Sequence, residues 1–169
     1  MIFFKFQYFC TIIMESSAYN SLQPNIQKLV NLAKEATQTA YAPYSHFQVG
    51  AAVLMADGRI FCGSNQENAA YSACLCAERV ALLYACAHAG NSYPICIAIA
   101  AYTKGDFLND YITPCGECCQ VLVEMEKRFG HSIAVCLYGK QETKVLASAS
   151  LLLPYSFTNK ALTPEDANI

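Results

Sequence analysis

Two short stretches hold the residues best suited to chemistry: Cys76-x-Glu78 and, further along the chain, Pro114-Cys115-x-x-Cys118. Three thiols spaced in this way can supply three thiolates to one metal ion. A structural zinc site is normally closed by four protein ligands, whereas a catalytic one keeps three and leaves the fourth position to water. No fourth ligand is evident, because His46, His88 and His131 are the only histidines and none has a ligand-like spacing from these cysteines. The pattern predicts a catalytic Zn2+, one per chain, held by Cys76, Cys115 and Cys118. Glu78, a carboxylate two residues from a ligand, is placed to move protons as general acid and base. A lone Cys-x-x-Cys is a weak signal that also fits a zinc knuckle or a redox dithiol. The dithiol reading gives no role to Cys76 or Glu78.

A His or Cys followed by x-Glu and, at a distance, by Pro-Cys-x-x-Cys is the signature of zinc deaminases acting on an amino-bearing ring carbon. Around it stand Tyr44-Ser45-His46-Phe47, Asn65-x-Glu67-Asn68-Ala69, Cys76-Ala77-Glu78-Arg79 and Pro114-Cys115-Gly116-x-Cys118, in that order. On these four motifs the chain, from about Gln23 to about Phe157, resembles the small homotetrameric cytidine deaminases.

The resemblance implies hydrolytic deamination of cytidine and deoxycytidine to uridine and deoxyuridine, with release of ammonia, in pyrimidine salvage. It assigns Glu78 the proton transfers to ring N3 and to the departing amino group. Asn65 and Glu67 match residues that hydrogen-bond the ribose 3′-hydroxyl; a carboxylate and an amide suit a free hydroxyl and repel a phosphate, which favours a nucleoside over a nucleotide. Phe47 matches a residue that packs against the base, and Ala77 one whose backbone N–H meets the base's polar edge. Tyr71 and Phe157 match aromatic positions that approach the site across subunits, so the expected assembly is a homotetramer with shared active sites. Arg79 matches an arginine that hydrogen-bonds the ligand sulfurs. That cation matters, since three thiolates on Zn2+ leave a net negative site. The chain departs from the family at Cys119, where arginine is common; as the neighbour of Cys118 on a helix it points about 100° away and reads as a buried thiol.

The elements that must position these residues follow from periodicity. Ile26, Leu29, Val30, Ala33 and Ala36 recur at helical spacing between Pro24 and Ala40, with the proline in the first turn. Residues 47–56 and 59–64 read as two strands joined through Asp57-Gly58. A second helix is predicted from Cys76 to His88, a strand over 95–102, a third helix from Cys115 to Arg128 stopping at Gly130, and strands over 133–138 and 143–147. All three cysteines thus fall at helix N-termini, where free N–H groups and the dipole stabilise thiolates. A strand pair followed by strands alternating with helices predicts an α/β protein, a three-layer α/β/α sandwich around one mixed sheet. The organisation is an N-terminal extension (1–21), one catalytic domain (22–157) and a loose polar tail (158–169).

Composition bounds the function. The 169 residues suit one domain, and charged residues are 14% against 54% apolar. So little polar surface favours burial between subunits. The net charge is −2, with Lys and Arg scattered singly; nucleic acid is not an expected partner, since no basic stripe faces a phosphate backbone. Ten cysteines, three with a metal to bind and the others mostly within apolar runs, point to the reducing cytoplasm. Met1 to Ile13 is apolar and aromatic but interrupted by Lys5 and Gln7, too short to span a bilayer and poorly formed as a signal peptide. It reads as an extension, or as sequence upstream of an initiator at Met14. Two other functions stay open: the same chemistry on another aminopyrimidine, and a zinc-stabilised module without turnover, for which Glu78 would be superfluous.

Overall fold

Alternation along one strand decides how the layers stack. In β2 (Gln48–Met55) Ala51, Val53 and Met55 face one way and Ala52 the other, and each set belongs to a different core. The computed structural model describes residues 15–17, 19–159 and 162. The stretch Met1 to Ile13, Met14 and most of the C-terminal tail lie outside these residues.

Among the described residues the sheet has seven strands: β1 (Glu15–Ser17), β2, β3 (Ile60–Ser64), β4 (Pro94–Thr103), β5 (Asp106–Phe107), β6 (Ala134–Leu137) and β7 (Thr143–Leu146). Their order is β1-β7-β6-β4-β2-β3, with β5 folded back on the end of β4. The sheet is mixed. β4 and β6 run parallel, Cys96 opposite Ala134 and Ile99 opposite Leu137, whereas the other pairs are antiparallel. A parallel pair requires a crossover, and here the crossover is helix α3 (Gly116–Phe129).

One face carries α1 (Pro24–Ala36), whose Ile26, Leu29, Val30 and Ala33 are buried against Ala52, Ala98, Ala100 and Cys136. The opposite face carries α2 (Ala77–His88) and α3, with Leu82 and Leu122 buried among Val53, Ile97, Ile99, Val135 and Leu137. Each fully buried aliphatic side chain of this kind contributes about 1.5–3 kcal/mol. The result is the three-layer α/β/α sandwich. Two glycines set its thickness: a Cβ on Gly50 would lie 2.1 Å from the carbonyl oxygen of Ala33 in α1, and one on Gly63 would lie 2.5 Å from the backbone nitrogen of Ala81 in α2. No side chain fits at either contact.

The structure refines the sequence expectations. α1 ends at Ala36 rather than Ala40 and continues as a 3-10 turn, Thr37–Thr39. The Thr37 and Thr39 hydroxyls donate to the carbonyls of Lys34 and Ala36, taking over groups that a longer helix would have paired. β1 and β5 were not expected; the first adds three residues to the edge of β7 inside what read as an N-terminal extension, and the second completes a tight hairpin after Thr103. Glu126, a buried carboxylate on α3, accepts from the backbone of Ile133, Ala149 and Ser150 and from the hydroxyls of Ser148 and Ser150. It ties the end of the crossover helix to the entry of β6 and to the 3-10 turn Ala149–Leu151.

Candidate active site

The metal site is built from two helix starts. Cys76 is the residue before α2 and Cys115 the residue before α3, both in extended backbone conformation, and Cys118 lies on the first turn of α3. Their sulfurs converge: all three lie within 4.8 Å of one another, with Cys76 and Cys115 at 3.8 Å. Tetrahedral zinc with Zn–S bonds of about 2.3 Å spaces its sulfurs by about 3.8 Å, so the triad fits that ion, and three soft ligands suit zinc chemically. Cys119 is not part of the triad. Its buried thiol donates to the carbonyl of Pro114, and burial raises its pKa.

The electrostatics of the triad are those of a proton shared among sulfurs. A hydrogen bond from the Cys118 thiol, helped by Arg79, draws the Cys76 thiol down to about 5 despite its partial burial. Cys118, donor in that bond and buried beside Glu78, is pushed far up. Of the two, the Cys76 thiol is the one that ionises more readily. Glu78, in the first turn of α2 and 5% exposed, is raised above the ordinary carboxylate range by burial first, and further by the charge on Cys76. A carboxyl so placed holds its proton to higher pH than an exposed one.

Arg79 lies between the ligand helices. Its Nη2 donates to the carbonyl of Cys74 at 3.3 Å and approaches the Cys76 sulfur at 4.0 Å, and its Nη1 pairs with Glu117 on α3 at 3.0 Å. The expected contact with a ligand sulfur is present at long range. The ion pair with Glu117 was not foreseen; its only sequence cue was an acidic residue standing between two ligands.

The expected substrate residues divide into four groups. Asn65 donates through Nδ2 to the carbonyl of Phe47 and accepts through Oδ1 from the backbone of Val49, which clips the half-buried Phe47 to the start of β2. One of the two Nδ2 hydrogens remains for a ligand. Glu67 accepts from the backbone N–H groups of Tyr44 (2.9 Å) and Ser45 (3.3 Å) and from the Ser45 hydroxyl, and these bonds lower its pKa. Glu67, Tyr71, Tyr44, Ser45 and Cys74 line a hollow of about 310 Å³. Tyr71 and Tyr44 meet edge to face at 6.3 Å, and both are exposed. Ala77 is buried as the first residue of α2, where its N–H has no intrahelical acceptor.

Phe157 is not among the residues lining that hollow. Its ring is exposed and its backbone is held at both polar atoms by the side chain of Gln120, two residues beyond Cys118 on α3. Gln120 was missed by sequence reasoning, and Ser45, quoted within Tyr44-Ser45-His46-Phe47, was given no role of its own. The partners that reveal these roles, Phe157 for Gln120 and Glu67 for Ser45, lie 37 and 22 residues away.

Residues 23–131 match the family model described as the cytidine and deoxycytidylate deaminase zinc-binding region. A probable cytidine deaminase of Dictyostelium discoideum is 37% identical over 140 residues, 83% of this chain and 88% of that protein. A cytidine deaminase of Sporosarcina psychrophila is 37% identical over 139 residues, 82% of this chain and 96% of the relative. Among solved structures, cytidine deaminase from Burkholderia pseudomallei superposes with a TM-score of 0.65 at 44% identity, covering 77% of this chain and 97% of that one. With the three sulfurs and Glu78 where the motif requires them, and with matches spanning most of the fold, the chain belongs to the cytidine deaminases, hydrolases built around a zinc-binding region.

Proposed function

We propose that the chain catalyses the hydrolytic deamination of cytidine and deoxycytidine to uridine and deoxyuridine for pyrimidine salvage, using one Zn2+ per chain on Cys76, Cys115 and Cys118. The observation that carries the proposal is the convergence of three sulfurs from two helix starts beside a buried carboxylate two residues from one of them. When bound, the zinc ion supplies a Lewis acid that brings the pKa of a coordinated water near neutrality.

The remaining steps belong to the protein. Glu78 takes a proton from the water and delivers it to ring N3. A second transfer through the same carboxylate goes to the amino nitrogen, which leaves as ammonia while the C4 oxygen becomes the carbonyl of uridine. Water and cytidine are thus balanced by uridine and ammonia. Arg79 offsets part of the negative charge of the thiolates. The free N–H of Ala77 meets the polar edge of the base, Phe47 packs against the ring, and Asn65 and Glu67 receive the 3′-hydroxyl. The charge on Glu67, stabilised by three donors, disfavours a phosphate in that place and so selects nucleosides over nucleotides.

Assembly as a homotetramer is part of the proposal, with Tyr71 and Phe157 completing neighbouring sites. Its support is the apolar surface of the single chain: Tyr71, Leu83, Tyr84 and Phe157 are 77%, 47%, 51% and 61% exposed. A cytoplasmic location fits the nine described cysteines, all free thiols. No helix among the described residues is long and apolar enough to cross a membrane. Nucleic acid is not an expected partner.

The test is the loss of ultraviolet absorbance of cytidine, with ammonia release, on addition of zinc-loaded protein, with Glu78→Gln alongside. Turnover by the wild type and loss of at least a hundredfold in the variant, with zinc retained, are expected. Silence of the wild type with zinc bound would overturn the assignment.

A further inference from the structure

The two helices that carry the ligands touch through a charged contact beside the metal site. Arg79 stands three residues after Cys76, and Glu117 stands between Cys115 and Cys118; Nη1 of the one meets Oε2 of the other at 3.0 Å. The second edge of the same guanidinium, Nη2, is committed to the α2 side, to the carbonyl of Cys74 and towards the Cys76 sulfur. The remaining donor, Nε, is buried and has no partner among the described residues. The planar fork is therefore held by two edges only, one on the segment that leads into α2 and one on α3. Loss of either leaves a guanidinium with a buried, unpaired donor and one anchor, which favours its swinging out to water.

We propose that Glu117 is a positioning residue: its pair with Arg79 straps the start of α3 to the start of α2 and holds the guanidinium at the ligand sulfurs, so that the three-sulfur site is formed before metal arrives. The inference rests on the zinc reading above and adds to it a residue outside the ligand set. Two features of the chain give the strap its weight. Cys119, next to Cys118, supplies no charge, and Arg79 is the one cation that the hydrogen bonds and ion pairs of the described residues bring to the triad. Glu117 is largely exposed, 74% by side chain against 20% for Arg79, so the pair adds little to global stability. Its effect falls on the metal.

The decisive measurement is the zinc affinity of the reduced, full-length chain by competition with a chromogenic chelator, at low and at high salt. Glu117→Gln is expected to weaken zinc binding by on the order of tenfold, as loss of groups that orient metal ligands does, with the melting temperature of the metal-free protein nearly unchanged. Glu117→Asp should recover part of the affinity. In an Arg79→Gln background, Glu117→Gln should add nothing further, and the salt dependence should be gone. Unchanged affinity in Glu117→Gln would reduce the pair to a surface contact and overturn the proposal. Tighter binding would overturn it as well, since Glu117 would then be opposing the site by its charge. A wild type that binds no zinc would remove the deaminase reading together with the strap, whereas equal zinc binding by wild type and variant removes the strap alone.

Discussion

The metal side and the substrate side of the site are built by different means. On the metal side, Cys76, Glu78, Arg79, Cys115 and Cys118 sit on the first turns of two helices or immediately before them, and those helices pack on the central strands. On the substrate side, Tyr44, Ser45, Phe47, Glu67 and Tyr71 lie outside the strands and the α-helices, in segments held by side chains reaching to backbone. The proposed ligand geometry follows from two helices packed on the sheet; the proposed substrate geometry depends on a few local hydrogen bonds that single substitutions can remove. Damage should therefore show itself in metal content on one side, and in KM and local stability on the other.

Substitution of a metal ligand should have the largest effect. Cys118→Ala removes one of three thiolates and should abolish both zinc retention and turnover, while the sheet, which makes no use of the metal, stays folded; zinc content and circular dichroism check both. Next in size, Glu67→Gln should leave zinc content unchanged and raise KM for cytidine on the order of tenfold with a smaller change in kcat, because a uniform binding contact is lost. Asn65→Ala leaves the carbonyl of Phe47 and the N–H of Val49 without their partner, which costs about 1–3 kcal/mol and should lower the melting temperature by several degrees.

A finer distinction comes from the metal-free protein. The pKa of Glu78 is raised by burial in the fold, so the folded state binds more protons than the unfolded chain above the ordinary carboxylate pKa. Stability then falls as pH rises through the interval between the two values. Glu78→Gln should abolish that fall and be the more stable form at the upper end of the interval, converging with the wild type in acid. Denaturant midpoints measured across that range test the sign.

The metal side was legible in the sequence because its information is local. Cys76-x-Glu78 and Cys115-x-x-Cys118 fall on single turns, and helix starts announced by Pro114 and by the apolar periodicity that follows place them without any knowledge of the sheet. The order of strands and helices in the core was legible for the same reason. β1 and β5 were not, since three and two residues with no alternation carry no period of their own; the edge of β7 and the end of β4 create them. Glu126, Gln120 and Glu117 were not legible either. Each acts on a group brought near by the fold: Glu126 on Ser148 to Ser150, Gln120 on Phe157 and Glu117 on Arg79. Asn65 and Glu67 were singled out for a substrate, and the structure adds that they also organise the segments on which that substrate would rest.

The parallel pairing of β4 with β6 has a kinetic meaning. Cys76 and Cys115 are 39 residues apart, and the stretch between them includes all of α2 and β4. Non-local closures of this kind are the slow steps in the folding of mixed sheets, because chain entropy is lost before the contacts that reward it form. Hairpins such as β2–β3 can form early without bringing any two ligands together. Only when α3 has crossed over and docked do the three sulfurs meet. Capture of the ion is therefore a checkpoint late in refolding: with cobalt in place of zinc, the thiolate absorption band should grow in step with the slowest refolding phase, timing the last long-range closure of the chain.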